Sequence, residues 1–332
     1  MGNKENKKKF KLFDLNRDGK GVEPGEDTTP NLKFFFKQLG RKFSKIISLN
    51  MLMDIQIITI IVSIYLYFFV SPVTPSVNYS EFPLIYGIQQ ISTDAVTAVN
   101  LSGFSYQLGL PTYNTYIYWV IGAIVVFHLL TYGLQKVGSV YVLRGLVRGD
   151  SVFILSDYFY AIKKNFKQGL LLGIIDTVII AVLTYDFLYF FNSPSTMFNN
   201  FMYSAIMAIF ILYSIARFYL YLMIVTFNIK IGKAFKNAFI FCALGIKRNI
   251  MACIGIVIVT AIAIGMVMLL LPLGLGVTLV LPLIYYLGVC GFIYTYAAYP
   301  VIKKYMIDGV NTPDSGNAVS ISVSNEETHE NE

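Results

Sequence analysis

The sequence predicts an all-α, polytopic membrane protein with six transmembrane helices and both termini in the cytoplasm. Of its 332 residues, 56% are hydrophobic and only 14% are charged, whereas roughly 25% of residues are charged in an average soluble domain. The hydrophobic residues form charge-poor blocks of about 20 residues, which is the length that crosses a hydrocarbon layer about 30 Å thick. The placement of the basic residues supplies the orientation. No cleavable signal peptide is expected, because a polar and basic segment of about 45 residues precedes the first block.

Six apolar blocks define the predicted spans. Residues 250–300 carry no charge, but about 50 residues is twice the length of one crossing. The segment LPLGLG, from Leu271 to Gly276, supplies proline and glycine for a turn, so this region contributes two spans. The predicted spans cover residues 46–70, 116–134, 169–191, 201–227, 250–272 and 277–300.

Lysine and arginine are confined to one side of this topology. The chain has 26 of them, and all but Arg217 lie before span one, between spans two and three, between spans four and five, or after span six. Positively charged loops are retained in the cytoplasm. Both termini are therefore predicted to be cytoplasmic. The net charge of +7 follows from membrane topology, and nucleic acid is not predicted as a partner.

The spans divide the chain into three regions with connecting loops. Residues 1–30 are predicted to be a flexible cytoplasmic arm, residues 31–304 the membrane domain and residues 305–332 a disordered cytoplasmic tail. The membrane domain includes an outer loop at 71–115 and cytoplasmic loops at 135–168 and 228–249.

The arm contains a partial calcium-binding pattern. Asp14, Asn16, Asp18 and Gly19 match the ligand and glycine positions that open an EF-hand loop. The last position of such a loop requires a bidentate glutamate, and here it is Gly25. Calcium binding is therefore not predicted.

Three basic segments beside the membrane are predicted to form amphipathic helices. Asn31 to Asn50 leads into span one and is expected to lie at the membrane interface. Ser156 to Gly169 and Ile229 to Phe241 occupy the cytoplasmic loops and share the similar sequences AIKKNF and AFKNAF. This likeness indicates either an internal repeat, as in transporters, or the basic character common to inner loops. The candidate surface for a partner or for lipid headgroups comprises Arg144, Arg148, Lys163, Lys164, Lys167, Lys230, Lys233 and Lys236.

Ionisable residues within the spans form a second candidate site. Asp176 lies in span three, Arg217 in span four and His128 in span two. A charge at the bilayer centre costs roughly 2.5–3.5 kcal/mol, and Asp176 and Arg217 fall at similar depths. An ion pair is therefore expected, with His128 near enough to join it. Either the pair fixes the register of two helices, which the presence of a single pair favours, or it lines a polar path for a solute or proton.

The sequence lacks the usual catalytic motifs. It has no phosphate-binding loop, serine-hydrolase elbow or zinc-protease motif, and no cysteine–histidine set with metal spacing. Cys242, Cys253 and Cys290 lie in or beside apolar segments and are expected to be membrane-buried side chains rather than a disulfide or metal framework. An enzyme, a metal site and a cofactor are therefore not predicted, since an intramembrane enzyme would need more clustered polar groups.

Several motifs between Gly138 and Phe191 resemble one family. They are YVLR at Tyr141, RGD at Arg148, SD at Ser156 and KKNF at Lys163. This stretch resembles the YesL-like membrane proteins of Gram-positive bacteria, the group described as domain of unknown function 624. The likeness extends over about residues 32–302, except the long outer loop. The family has no assigned activity and no catalytic residues to transfer, but its association with carbohydrate-uptake operons implies an accessory or regulatory role.

Two functions follow from these observations. The first is a multi-pass protein of the cell membrane that acts through its basic loops, beside a sugar permease if the resemblance holds. The alternative is a small-solute transporter or channel that uses the polar pair between spans three and four. Both have the lipid bilayer as a constant partner.

Overall fold

The computed structural model describes residues 30–70, 115–274, 278 and 280–308. The predictions for the arm, the outer loop and the tail fall outside these residues, apart from a few positions at their edges. Every regular element in the described ranges is helical. The helices are α1 (Leu32–Tyr65), α2 (Thr115–Arg148), α3 (Ile154–Lys164), α4 (Phe166–Asn192), α5 (Met197–Thr226), α6 (Ile231–Leu244), α7 (Ile246–Leu270) and α8 (Leu281–Ile302).

Six of these helices are long and apolar enough to cross a membrane, namely α1, α2, α4, α5, α7 and α8. The predicted all-α class and the six spans are thereby confirmed. The predicted break between spans five and six is also present. After α7 the chain forms a 3₁₀ turn over Leu271–Leu273, and Gly274 follows with φ of 76°, a conformation that glycine adopts without steric cost. The cytoplasmic location of the termini stays a prediction from the basic residues.

The segment at residues 31–50 is helical and leads into span one, as predicted, while its location at the membrane interface stays a prediction. This segment is the first half of α1, which runs unbroken from Leu32 to Tyr65. The Asn31 side chain caps the helix by accepting a hydrogen bond of 2.8 Å from the Phe34 N–H. The Phe35 ring packs 5.6 Å from the ring of Phe292 on α8. Part of the apolar side of this segment, including Phe35, is therefore buried against α8, whereas Leu32 and Phe36 stay exposed.

The two predicted amphipathic loop helices are present as α3 and α6, although the loops are shorter than expected. The first part of the predicted loop 135–168 is helical, because α2 continues to Arg148. Each short helix joins the following span through a single non-helical residue. Asn165 precedes α4 with φ/ψ of −111°/25°, and Gly245 precedes α7 with −94°/12°. At each break one helix follows the other without a loop.

Tight packing is concentrated at one end of the bundle. One core joins the second half of α5 to α2, α3, α6 and α8, and the other joins α1, α2, α7 and α8. At the opposite end apolar side chains are exposed, such as Trp119 (77%) and Met197 (93%), as expected for surfaces that face lipid. We call the packed end, where α1 begins and α2 ends, the basic end.

Candidate functional site

A close crossing of α2 and α4 sets the position of the intramembrane polar residues. A Cβ on Gly133 would clash with the carbonyl oxygen of Gly169 and would lie 2.5 Å from the Cα of Gly173. Glycine lets the two backbones touch at this point, as in many membrane helix pairs. Tyr132 is next to Gly133, and Asp176 is one helical turn beyond Gly173. The crossing thus brings both side chains towards α5.

The structure brings Asp176 and Arg217 together, as expected from their depths. Arg217 Nε lies 2.8 Å from Asp176 Oδ1, and Arg217 Nη2 donates a hydrogen bond of 3.0 Å to Oδ2. Two tyrosines complete the shell, since the Tyr213 hydroxyl donates to Oδ1 at 2.8 Å and the Tyr221 hydroxyl donates to Oδ2 at 2.9 Å. Each carboxylate oxygen therefore has two positively polarised neighbours, and the Asp176 carboxylate is fully buried.

Arg217 also links this carboxylate to α2. Its Nη2 donates a hydrogen bond to the Tyr132 hydroxyl, and its guanidinium carbon lies 6.0 Å from the centre of the Tyr132 ring. The Lys136 ammonium lies 5.7 Å from the same ring. Cations near an aromatic face are attracted by the ring's quadrupole. The cluster therefore ties α2, α4 and α5 together through one anion, two cations and three tyrosines.

His128 lies beside the pair rather than within it. Its ring stacks on Tyr132 with centroids 5.3 Å apart, and its Nδ1 is buried with no hydrogen-bond partner among the described residues. A cavity of about 230 Å³ between α1, α2 and α4 is lined by His128, Tyr132, Lys136 and other residues, but Asp176 is not part of its wall. The buried carboxylate is therefore closed off from this cavity.

Of the eight residues of the predicted basic surface, seven are exposed and one, Arg144, is half-buried. Arg144 is only partly exposed; its Nη1 donates a hydrogen bond of 2.9 Å to the Val225 carbonyl, and its guanidinium lies 4.8 Å from the Tyr141 ring centre. It caps the last turn of α5, and its place on a partner surface stays a prediction. Seven residues are exposed as predicted: Arg148, Lys163, Lys164, Lys167, Lys230, Lys233 and Lys236.

One hydrogen bond connects the start of α4, which directly follows α3, to the connection that precedes α6. Helices α3 and α6 pack into the same core through Ala161 and Ala234. The Gln168 Nε2 donates a hydrogen bond of 3.3 Å to the Ile229 carbonyl. Lys167 and Lys230, the sequence neighbours of these two residues, are therefore held on the same side of the bundle.

Sequence reasoning missed the three tyrosines of the buried cluster. Tyr213, Arg217 and Tyr221 are spaced by four residues on α5, and this spacing places side chains on one face of a helix. His128, Tyr132 and Lys136 show the same spacing on α2. A four-residue spacing of polar groups within an apolar helix therefore indicates a shared polar face, and it could have identified these tyrosines from the sequence.

These features define a polytopic α-helical membrane protein with a closed polar cluster between three of its helices. Residues 114–187 match the family model described as "Protein of unknown function, DUF624". The matched segment contains α2, α3 and most of α4, and thus the glycine crossing and Asp176. The predicted resemblance to this family is confirmed over that segment. No curated protein and no solved structure matches the chain.

Proposed function

We propose that this chain is a non-enzymatic accessory or regulatory protein of the cell membrane that binds another membrane protein through α3 and α6. The observation that carries the proposal is the set of exposed lysines on α3, at the start of α4 and on α6. Lys163 and Lys164 on α3 and Lys167 at the start of α4 are exposed, and the Gln168–Ile229 hydrogen bond joins the start of α4 to the residue before Lys230. A rigid cationic surface of this kind suits a partner with an acidic face.

The partner class comes from the family resemblance. Because the resembling proteins are associated with carbohydrate-uptake operons, we propose a sugar permease as the partner. The buried ion pair supports an accessory role, since the Asp176 carboxylate is already held by Arg217 and two tyrosines and does not line the neighbouring cavity.

Co-purification from native membranes tests this function. The tagged full-length chain should retain its partner in wild-type form and lose it when Lys163, Lys164 and Lys167 are all changed to glutamate. The matched control changes the same three lysines to arginine, which keeps the charge, and this variant should retain the partner. A complex that survives the glutamate changes contradicts the proposal.

A small-solute transporter or channel is the second candidate. The cavity of about 230 Å³ favours it, because His128, Tyr132 and Lys136 place polar groups beside the ion pair. Flux through proteoliposomes should then fall when Asp176→Asn removes the anion. Flux that is unchanged in Asp176→Asn, or absent for every solute tested, rejects this function.

A further inference from the structure

Two cavities adjoin at the basic end, on the side of the bundle formed by α1, α7 and α8. The first has a volume of about 720 Å³, and we call it the basic cavity. The second has a volume of about 650 Å³, and we call it the apolar groove. Pro30 and Tyr296 line both. A molecule with a charged part and an apolar part can therefore occupy the two together.

The basic cavity has an excess of positive charge. Arg41 and Lys42 come from α1, Arg148 from the end of α2 and Lys303 from the segment after α8. Asp150 is the only carboxylate among the described residues that line it, and its Oδ2 lies 3.4 Å from Arg148 Nε. The described lining thus carries four cations and one carboxylate, and this excess of positive side chains suits a phosphate group.

The apolar groove continues from this cavity along α7. Its walls on α7 extend from Met251 to Ile262, a distance of about 16 Å at 1.5 Å per residue. That is about half the thickness of a hydrocarbon core, so the groove has the depth of one lipid leaflet. Large exposed side chains line it: Leu32 (59%), Phe36 (65%), Ile254 (55%) and Ile258 (53%).

A fifth cation marks the mouth of the groove. Arg248 lines it, and its Nη2 donates a hydrogen bond of 3.4 Å to the Pro30 carbonyl. This contact places a guanidinium at the boundary between the apolar walls and the basic cavity. Positive charge is therefore concentrated at one end of a leaflet-deep apolar channel.

We propose that these two cavities form a selective site for one anionic phospholipid of the leaflet at the basic end. The phosphate headgroup occupies the basic cavity, beside Lys42, Arg148 and Lys303. An acyl chain lies in the groove against α1 and α7. Charge complementarity selects an anionic headgroup over a zwitterionic one, and the groove selects an amphiphile over a soluble phosphate.

Native mass spectrometry of the full chain in detergent tests this site with two defined probes. Phosphatidylglycerol and phosphatidylcholine with identical acyl chains are added in separate titrations. Phosphatidylglycerol should be retained at lower concentration. The Lys303→Gln variant should weaken its binding about fivefold, which corresponds to the loss of one cation near a lipid surface. Lys304→Gln is the matched control, because Lys304 is adjacent and exposed but does not line the cavity.

A second pair of variants tests the acyl-chain portion. Gly255 lines the groove on α7, so Gly255→Leu should obstruct it and weaken phosphatidylglycerol binding. Gly265→Leu is the control on the same helix, since a Cβ there meets nothing within 4 Å and Gly265 lies outside the groove. If Gly255→Leu does not fold, Ile258→Gln provides the same test at an exposed position.

Three results would overturn the proposal. The first is equal retention of the two lipids by the wild-type chain. The second is a loss of phosphatidylglycerol binding in Lys304→Gln as large as that in Lys303→Gln. The third is competition by inorganic phosphate together with unchanged binding in both groove variants, which would assign the basic cavity to a soluble anion.

Discussion

Gly133 on α2 and Gly173 on α4 touch backbone to backbone, with no space for a side chain between them. We expect Gly133→Ala to separate the two helices and to destabilise the protein by about 1–3 kcal/mol, the usual range for an overpacked contact. Samples in detergent are heated to a series of temperatures, and size-exclusion chromatography then measures the fraction of protein that remains folded. Gly122→Ala on the same helix is the control, because a Cβ there meets nothing within 4 Å. An equal effect of the two changes would contradict a specific role for the crossing.

The Asp176–Arg217 pair makes a second prediction. Asp176→Leu should be strongly destabilising, on the order of 3–5 kcal/mol, because it leaves the Arg217 guanidinium without its buried counter-ion. The double variant Asp176→Leu/Arg217→Leu should be less destabilised than Asp176→Leu alone, because it removes both charges.

Denaturant titration of these variants in mixed micelles gives the coupling free energy. Asp186→Asn is the control. It removes a carboxylate from the same helix, but from a position outside the cluster. A double variant as unstable as the sum of the two single variants would show that the side chains act independently.

The orientation predicts a pattern of cysteine labelling. Lys236→Cys on α6 should not react with a membrane-impermeant maleimide in intact cells and should react after permeabilisation. Tyr116→Cys is the opposite control, because Tyr116 begins α2 at the other end and is 82% exposed. Reaction of Lys236→Cys in intact cells is incompatible with the cytoplasmic assignment.

The native Cys242 should contribute little background to this assay. Burial raises the pKa of the Cys242 thiol to about 11, and the thiolate is the form that reacts. At neutral pH the thiol is therefore almost entirely protonated. At neutral pH, Cys242 in permeabilised wild-type cells should therefore react much more slowly than the exposed thiol of Lys236→Cys.

Asn50 connects α1 to the backbone of α8. It is fully buried, its Nδ2 donates a hydrogen bond to the Leu283 carbonyl, and its Oδ1 accepts one of 2.7 Å from the Gly288 N–H. Asn50→Ala should cost about 1–3 kcal/mol, because these backbone groups lose a buried partner. Thermal unfolding of Asn50→Ala beside Ser48→Ala, an exposed position on the same helix, measures the effect. Equal melting temperatures would show that Asn50 contributes nothing.

The six spans were predictable because hydropathy and length alone define them, whereas the course of α1 was not. A basic, aromatic segment such as residues 31–50 has the composition of an interface helix. Its partners are distant in sequence: the Gln38 Nε2 donates to the Leu146 carbonyl at 2.8 Å, and Phe35 packs on Phe292. No local pattern in residues 31–50 indicates these contacts.

The candidate sites show the same limit. Asp176 and Arg217 could be paired from the sequence, because they lie at similar depths in the membrane on two antiparallel spans. The contact that Arg144 makes was not predicted, because a cation near the end of a span is usually solvated and only the fold shows that the Val225 carbonyl is within its reach. The basic cavity is assembled from α1, the end of α2 and the segment after α8, so counting lysines and arginines along the chain did not identify it.

The paired charges of Asp176 and Arg217 also determine how this site responds to the membrane potential. Moving one elementary charge through the membrane field requires about 2.3 kcal/mol per 100 mV. The anion and the cation are held together by contacts of 2.8 and 3.0 Å, so a joint displacement transfers no net charge. For such a joint movement along the field, the work done by the field on one partner cancels the work done on the other.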